Sequence, residues 1–416
     1  ITAVFSDNLQ LIITDSFGRI FHSPVSFLLA FTGVFGSIWR IILSIFRLFQ
    51  KMSASTDFAL ALLRASSGHA ENFVISPFSL GAALAIVHDG AKEDTQKELT
   101  TLLGKTLSPA EVSALYSSLT AALSEKNSAV ITNVANRFFL DKEFTLKAEY
   151  QSHVEKVFNA GAENINFKDG DGSANHVNAF VEKNTGGMIP KLVEASAFGG
   201  NAVAVLINAV YFKGEWETQF NKDATQTKPF HGIAGDRDEK FMIANKLNTR
   251  YSLNDDLTVV SLAYKDPSYS LVVLMPSGDF GEWRANLTAE TLQGAIENLQ
   301  TGKINLELPK FKIESTTDGK AALKKCGVKR IFEDTADLSG ISDKDLYVSK
   351  IVHKAVIEVT EEGTEATAAT GIRMHVKGLG PLTPELTFNR PCIYAIVKNK
   401  KIKKIKKQIL FIGQKA

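Results

Sequence analysis

Residues 361–391 read EEGTEATAATGIRMHVKGLGPLTPELTFNRP, and the two kinds of signal in them conflict. From Thr364 the even positions are Thr364, Ala366, Ala368, Thr370, Ile372, Met374 and Val376. The odd ones are Glu365, Thr367, Ala369, Gly371, Arg373, His375 and Lys377. Side chains alternate faces along a strand, so one face is small and then apolar, the other mostly polar and charged. Yet Gly363, Gly371, Gly378, Gly380, Pro381 and Pro384 punctuate the stretch as they would an exposed loop. A segment patterned as a strand and punctuated as a loop suits a chain with two states. The plainer alternative is an edge strand followed by a long surface loop.

The flanks bear on that choice. Glu361-Glu362-Gly363-Thr364-Glu365-Ala366-Thr367-Ala368-Ala369 resembles the proximal hinge of an inhibitory serpin, and Phe388-Asn389-Arg390-Pro391 resembles the start of the serpin C-terminal signature. NFVISPFS at 72–79, VANRFF at 134–139, LINAVYFKGEW at 206–216, LPKF at 308–311, ADLSGIS at 336–342 and VHKA at 352–355 are similar to serpin motifs and stand in the same order. The resemblance runs from Met52 to the C-terminus. It implies an α+β serpin fold with a large central mixed β-sheet, further sheets, about eight or nine helices and an exposed reactive loop near 361–387.

Composition agrees without being specific. Forty-seven basic against 45 acidic residues leave +2, so bulk charge argues for neither nucleic acid nor membrane as partner. An apolar share of 44% is ample for a sizeable core. Cys326 and Cys392 make no disulfide framework and read as reduced thiols. No linker, repeat or low-complexity tract divides 52–416, which we take as a single domain. Residues 1–51 differ: Val25–Trp39 is an uncharged apolar run followed by Arg40, too short for a span of about 20 apolar residues. It reads as a signal-anchor, as an amphipathic surface helix, or as sequence foreign to the natural protein. The last is favoured, because Met52-Ser53-Ala54-Ser55-Thr56-Asp57 looks like a natural start, with Thr56 or Asp57 as a helix cap. A start at Met52 implies a cytoplasmic protein; secretion directed by 1–51 implies an extracellular one.

Along the domain, Phe78–Gly90, Glu93–Leu103, Ser108–Leu123 and Ala174–Lys183 read as helices. Val130–Leu140, Ala202–Phe212, Leu257–Tyr264, Ser270–Met275, Cys392–Val397 and Ile409–Ile412 read as strands. Gly104-Lys105-Thr106 lacks the earlier glycine of a phosphate loop, since Leu99 stands there. Pro109–Leu123 carries no basic residue, so the polysaccharide site that some serpins place near there is not expected. Lys398, Lys400, Lys401, Lys403, Lys404, Lys406 and Lys407 read as a solvated hairpin turn, with weak polyanion contact as the sharper alternative. Asn286-Leu287-Thr288 is a glycosylation acceptor only in a secreted chain.

No nucleophile elbow, paired-histidine metal helix, Cys-x-x-Cys pair or dinucleotide turn is present, so we expect no enzyme, no metal and no cofactor. His353, in an apolar strand, reads as a satisfied core histidine. The resemblance groups it with Ser76, Ser79, Asn136 and Asn208 where the main sheet opens. It also pairs Glu361 with Lys310 at the top of that sheet, beside Trp216.

The function implied is serine-type endopeptidase inhibition. A protease attacks the loop and forms an acyl-enzyme, and the cleaved loop inserts between strands before deacylation. Small Thr364, Ala366, Ala368 and Thr370 tolerate that burial, and Gly363 supplies the pivot. Counting fourteen residues on from Gly363 places the scissile bond at Lys377–Gly378, bait for a trypsin-like protease; Arg373-Met374 and Leu379-Gly380 are alternatives. Lys377–Pro391 is longer than usual, and Cys392 stands where the family usually has phenylalanine. The resemblance implies a monomer with a target serine protease as its partner. Two other functions stay open: a non-inhibitory carrier or binding protein of the same fold, and inhibition of papain-like cysteine proteases.

Overall fold

The computed structural model describes residues 2–5, 11–14, 20 and 21 (main chain), and 54–123, 129–363, 383–399 and 407–416. The chain divides into two compact units, Ile1–Gln50 and Lys51–Ala416. In the first, strands Thr2–Phe5, Leu11–Thr14 and Ile20–Phe21 pair antiparallel, an arrangement the sequence had not suggested. The apolar run Val25–Trp39 lies outside the described residues. No helix among them is long and apolar enough to cross a membrane.

The second unit begins with helix α1 (54–66), β1 (Phe73–Ile75), α2 (Pro77–Gly90), α3 (Glu93–Gly104) and α4 (Pro109–Leu123). Then come β2 (Val130–Asp141), α5 (Ala148–Phe158), β3 (Gly161–Ile165), α6 (Gly170–Asn184) and β4 (Ala204–Gly214). Strands β5 (Gln226–Gly232), β6 (Gly235–Leu253), β7 (Leu257–Ala263) and β8 (Tyr269–Pro276) follow, then α7 (Phe280–Asn286) and α8 (Ala289–Glu297). The remainder is β9 (Gln300–Pro309), β10 (Phe311–Asp318), α9 (Gly319–Lys325), β11 (Lys350–Val359), β12 (Glu385–Thr387), β13 (Cys392–Lys398) and β14 (Gln408–Lys415).

The strands form two large sheets. One has five strands in the order β10–β11–β4–β2–β3; it is mixed, with β11–β4 and β2–β3 parallel. The other has nine, running β12–β9–β6–β7–β8–β13–β14–β1 with β5 attached to β6. Strand β4 is buried along nearly its whole length because both faces of its sheet are covered. Alternation assigns its residues: Ile207, Ala209 and Tyr211 join Val177 and Val181 of α6 in one apolar cluster, while Asn208 points the other way and bonds to Ser79 at the start of α2.

Helix α6 departs from the sequence reading for a local reason, whereas α2 matches it to within one residue. Helix α6 starts a turn early, because the Asp169 side chain accepts from the Gly172 amide at 2.9 Å and caps it ahead of Gly170-Asp171-Gly172. Helix α2 is buried on all sides except at Asp89, so it has no polar stripe to betray its orientation. Its C-terminus meets main chain: the Gly340 amide donates to the Gly90 carbonyl at 3.0 Å. A Cβ on Gly340 would lie 2.6 Å from that oxygen and 3.1 Å from the Gly90 Cα. Neither backbone can give way cheaply, so Gly340→Ala should cost about 1–3 kcal/mol and lower the thermal unfolding midpoint. An unchanged midpoint would mean that this loop can leave α2 freely.

Candidate functional site

The site is the seam between β4 and β11, two parallel strands paired from Lys350↔Val205 to Val356↔Tyr211. Beyond that last register pair each strand follows its other neighbour. Phe212, Lys213 and Gly214 continue on β2, opposite Thr132, Ile131 and Val130; Ile357–Val359 continue on β10. The seam is laddered at its middle and parts at its head.

A polar row crosses the middle. His353, Asn208 and Asn136 are register partners on β11, β4 and β2. Ser76 caps α2 beneath them, its hydroxyl accepting from the Ser79 amide at 3.2 Å and donating to the Leu410 carbonyl at 2.7 Å. The Ser76 amide donates to His353 Nε2 at 3.1 Å, which leaves the ring proton on Nδ1, facing Asn208 Oδ1. The Asn208 amide group faces the Ser79 carbonyl (3.1 Å), the Ser79 hydroxyl (2.6 Å) and Asn136 Oδ1. Ser76, Ser79, Asn208 and His353 have no solvent exposure. Burial pushes the imidazole down to about 3, so the ring is neutral in the folded protein. All five residues grouped from the sequence therefore meet in one network.

At the head, β11 leads into Thr360-Glu361-Glu362-Gly363. Lys310 donates to one Glu361 oxygen at 2.8 Å and the Thr225 hydroxyl to the other at 2.8 Å. Burial works to raise the Glu361 carboxyl, but hydrogen bonds from Lys310, its own backbone and Thr225 outweigh this and hold it below the usual range. Trp216 stacks on Tyr264 with ring centroids 4.6 Å apart, and its indole N–H donates to the Thr360 carbonyl at 2.7 Å. Its backbone N–H donates to Glu362 at 3.1 Å, while the Phe220 N–H donates to Glu361 at 2.8 Å. Glu362 pairs with Lys222. Gly363 sits at φ +94°, where a Cβ would lie 2.2 Å from the Gly214 carbonyl oxygen. The Glu361–Lys310 pair and the neighbouring Trp216 thus stand where the sequence reading put them. Thr225 and Lys222 were missed, since nothing in their polar stretch marks them.

Hinge residues Thr364 to Ala369 and the bond Lys377–Gly378 lie outside the described residues. One reading is corrected. Lys398 is not a solvated turn residue: it is buried, and its ammonium donates to the Tyr269 hydroxyl at 2.8 Å. Lys407 likewise donates to the Ile296 carbonyl at 2.6 Å. Lys400, Lys401, Lys403, Lys404 and Lys406 lie outside the described residues. Cys392 is buried and Cys326 half-buried, both free thiols. No cluster of three or more metal-ligating side chains occurs among the described residues.

His353 gives the seam a pH dependence. Its pKa is lower folded than unfolded, so the unfolded chain binds the extra proton; stability is complete above about 6.5 and erodes as pH falls toward 3. Between pH 6.5 and 4 the wild-type unfolding midpoint should drop more steeply than that of His353→Gln, which cannot titrate. Parallel profiles would show that His353 is not the responsible group.

The comparisons agree with this geometry. Residues 53–416 match the family model described as Serpin (serine protease inhibitor). Iripin-2 of Ixodes ricinus is 35% identical over 370 residues, covering 87% of this chain and 92% of its own. Human leukocyte elastase inhibitor is 34% identical over 383 residues, 88% of this chain and 98% of its own. The thermophilic serpin tengpin in its native state superposes with TM-score 0.79 at 27% identity, over 87% of this chain and 93% of that one. With the fold, the seam and its flanking motifs in place, this chain belongs to the serpin family.

Proposed function

We propose that this protein inhibits a serine endopeptidase as a single-use substrate, with Lys377 as bait for a trypsin-like enzyme. The observation carrying the reading is the seam, closed at its middle by a buried polar row and parting at its head beside Gly363. A cleaved loop turning back there finds main-chain groups on β4 and β11 to pair with, and pairing along their length releases energy that the uncleaved fold holds back. Fold alone would not carry this, because one fold hosts many functions. The hinge composition adds to it: Thr364, Ala366, Ala368 and Thr370 are small enough to be buried in a sheet. We assign Ser76, Ser79, Asn136, Asn208 and His353 to holding the seam shut, and Trp216, Lys310 and Glu361 to latching its head.

Incubation with an equal concentration of trypsin should give a band at the summed mass on a denaturing gel, with a released peptide beginning at Gly378. A peptide beginning at Met374 or Gly380 would keep the mechanism and move the bond. Cleavage without a covalent complex, repeated with chymotrypsin-like and papain-like enzymes, would leave a non-inhibitory protein of the same fold.

The hinge supplies an independent check. Thr364→Arg would place an unpaired charge inside the sheet. It should shift the outcome from complex to cleaved product by about tenfold or more, since several kcal/mol would oppose insertion. Unchanged partitioning would mean that Thr364 is never buried.

A further inference from the structure

A cavity of about 600 Å³ lies between α1, α3 and the turn after α9, away from the seam and its latch. Its size is within the range of small-molecule sites. Phe58 and Ala61 of α1 and Leu102 of α3 give it an apolar lining, and Cys326 lines it from the third side.

The charges around it are unequally engaged. Lys105 is paired with Asp57. Arg330 reaches Asp94 at 3.2 Å and Glu98 at 3.7 Å, and Glu98 also accepts from the backbone amides of Lys329 and Arg330. The remaining cation, Lys97, has no ion-pair or hydrogen-bond partner for its ammonium among the described residues. An apolar floor with one uncommitted positive charge at its edge selects for a molecule of complementary build, with an apolar body and a single anionic end.

We propose that this cavity binds a small amphipathic carboxylate, its tail against Phe58, Ala61 and Leu102 and its carboxylate at Lys97. Binding there is independent of the inhibitory reading, because none of these residues belongs to the seam or its latch.

Cys326 supplies the readout. It is half-buried, whereas the other thiol, Cys392, is fully buried, so alkylation of the intact full-length chain by iodoacetamide reports on the cavity. Octanoate should slow alkylation at Cys326 saturably, while octylamine and octanol at equal concentration should not. Lys97→Ala should weaken protection by octanoate roughly two- to fivefold, as expected for a solvent-exposed ion pair. Ala61→Phe, which fills the cavity from a half-buried helix position, should abolish protection; calorimetric titration of octanoate into the unmodified protein checks binding without relying on the thiol. Equal protection by all three probes, preference for octylamine, or no heat and no protection at millimolar octanoate would each overturn the proposal.

Discussion

The five-stranded sheet carries a row of polar side chains where an apolar core would be simpler. Asn136, Asn208 and His353 lie across three strands, with Ser76 and Ser79 supplying partners from the start of α2. In a low-dielectric interior such bonds are strong when complete, and an unpaired member costs more than the network gains by including it. The row therefore behaves as a single fastening. Separating β4 from β11 by a little breaks the His353–Asn208 contact, and nothing nearby substitutes for it. Apolar packing is less exacting, because a methyl group slides along its neighbours without losing all contact. Under the proposed function, a sheet that stays shut before cleavage and opens after it benefits from the exacting kind of bond.

The head of the seam is secured differently. Glu361 is held by Lys310, just before β10, and by Thr225, which lies 136 positions earlier in the chain. Lys310 is 39% exposed, so water and salt screen its pair with Glu361 and the net contribution is about 1 kcal/mol or less. Trp216 contributes more firmly through its stacking on Tyr264 and its two hydrogen bonds to the turn after β11. These contacts at the head come from several separate segments, and most of them are directional. A fastening of that sort yields at the periphery while the centre holds.

Much of this was legible in the sequence because the residues concerned sit in motifs that also fix strands. Asn208 lies in an unbroken apolar run, where a lone amide stands out, and His353 does the same in β11. The resemblance joined them; neither periodicity nor spacing could have paired positions 145 residues apart. The 19-residue strand β6 went unread, because charged residues at exposed positions dilute its alternation. Lys398 was misjudged by residue type, since lysine is so seldom buried that its hydrogen bond to Tyr269 has no sequence signature. Thr225 was missed for the opposite reason: threonine in a polar stretch is unremarkable until folding brings Glu361 to it.

The parallel direction of β4 and β11 has a geometric consequence. Parallel ladders are slanted and slightly weaker per residue than antiparallel ones. Strand β11 runs toward Gly363, and its backbone there has the positive φ of a reversal. A chain folding back from that point into the seam would run against both neighbours at once, so one parallel ladder would be exchanged for two antiparallel ones. The sheet would grow from five strands to six, and one of its two parallel joins would be gone. Under the proposed function, strand direction at this one seam suits a strand that its own chain can supply.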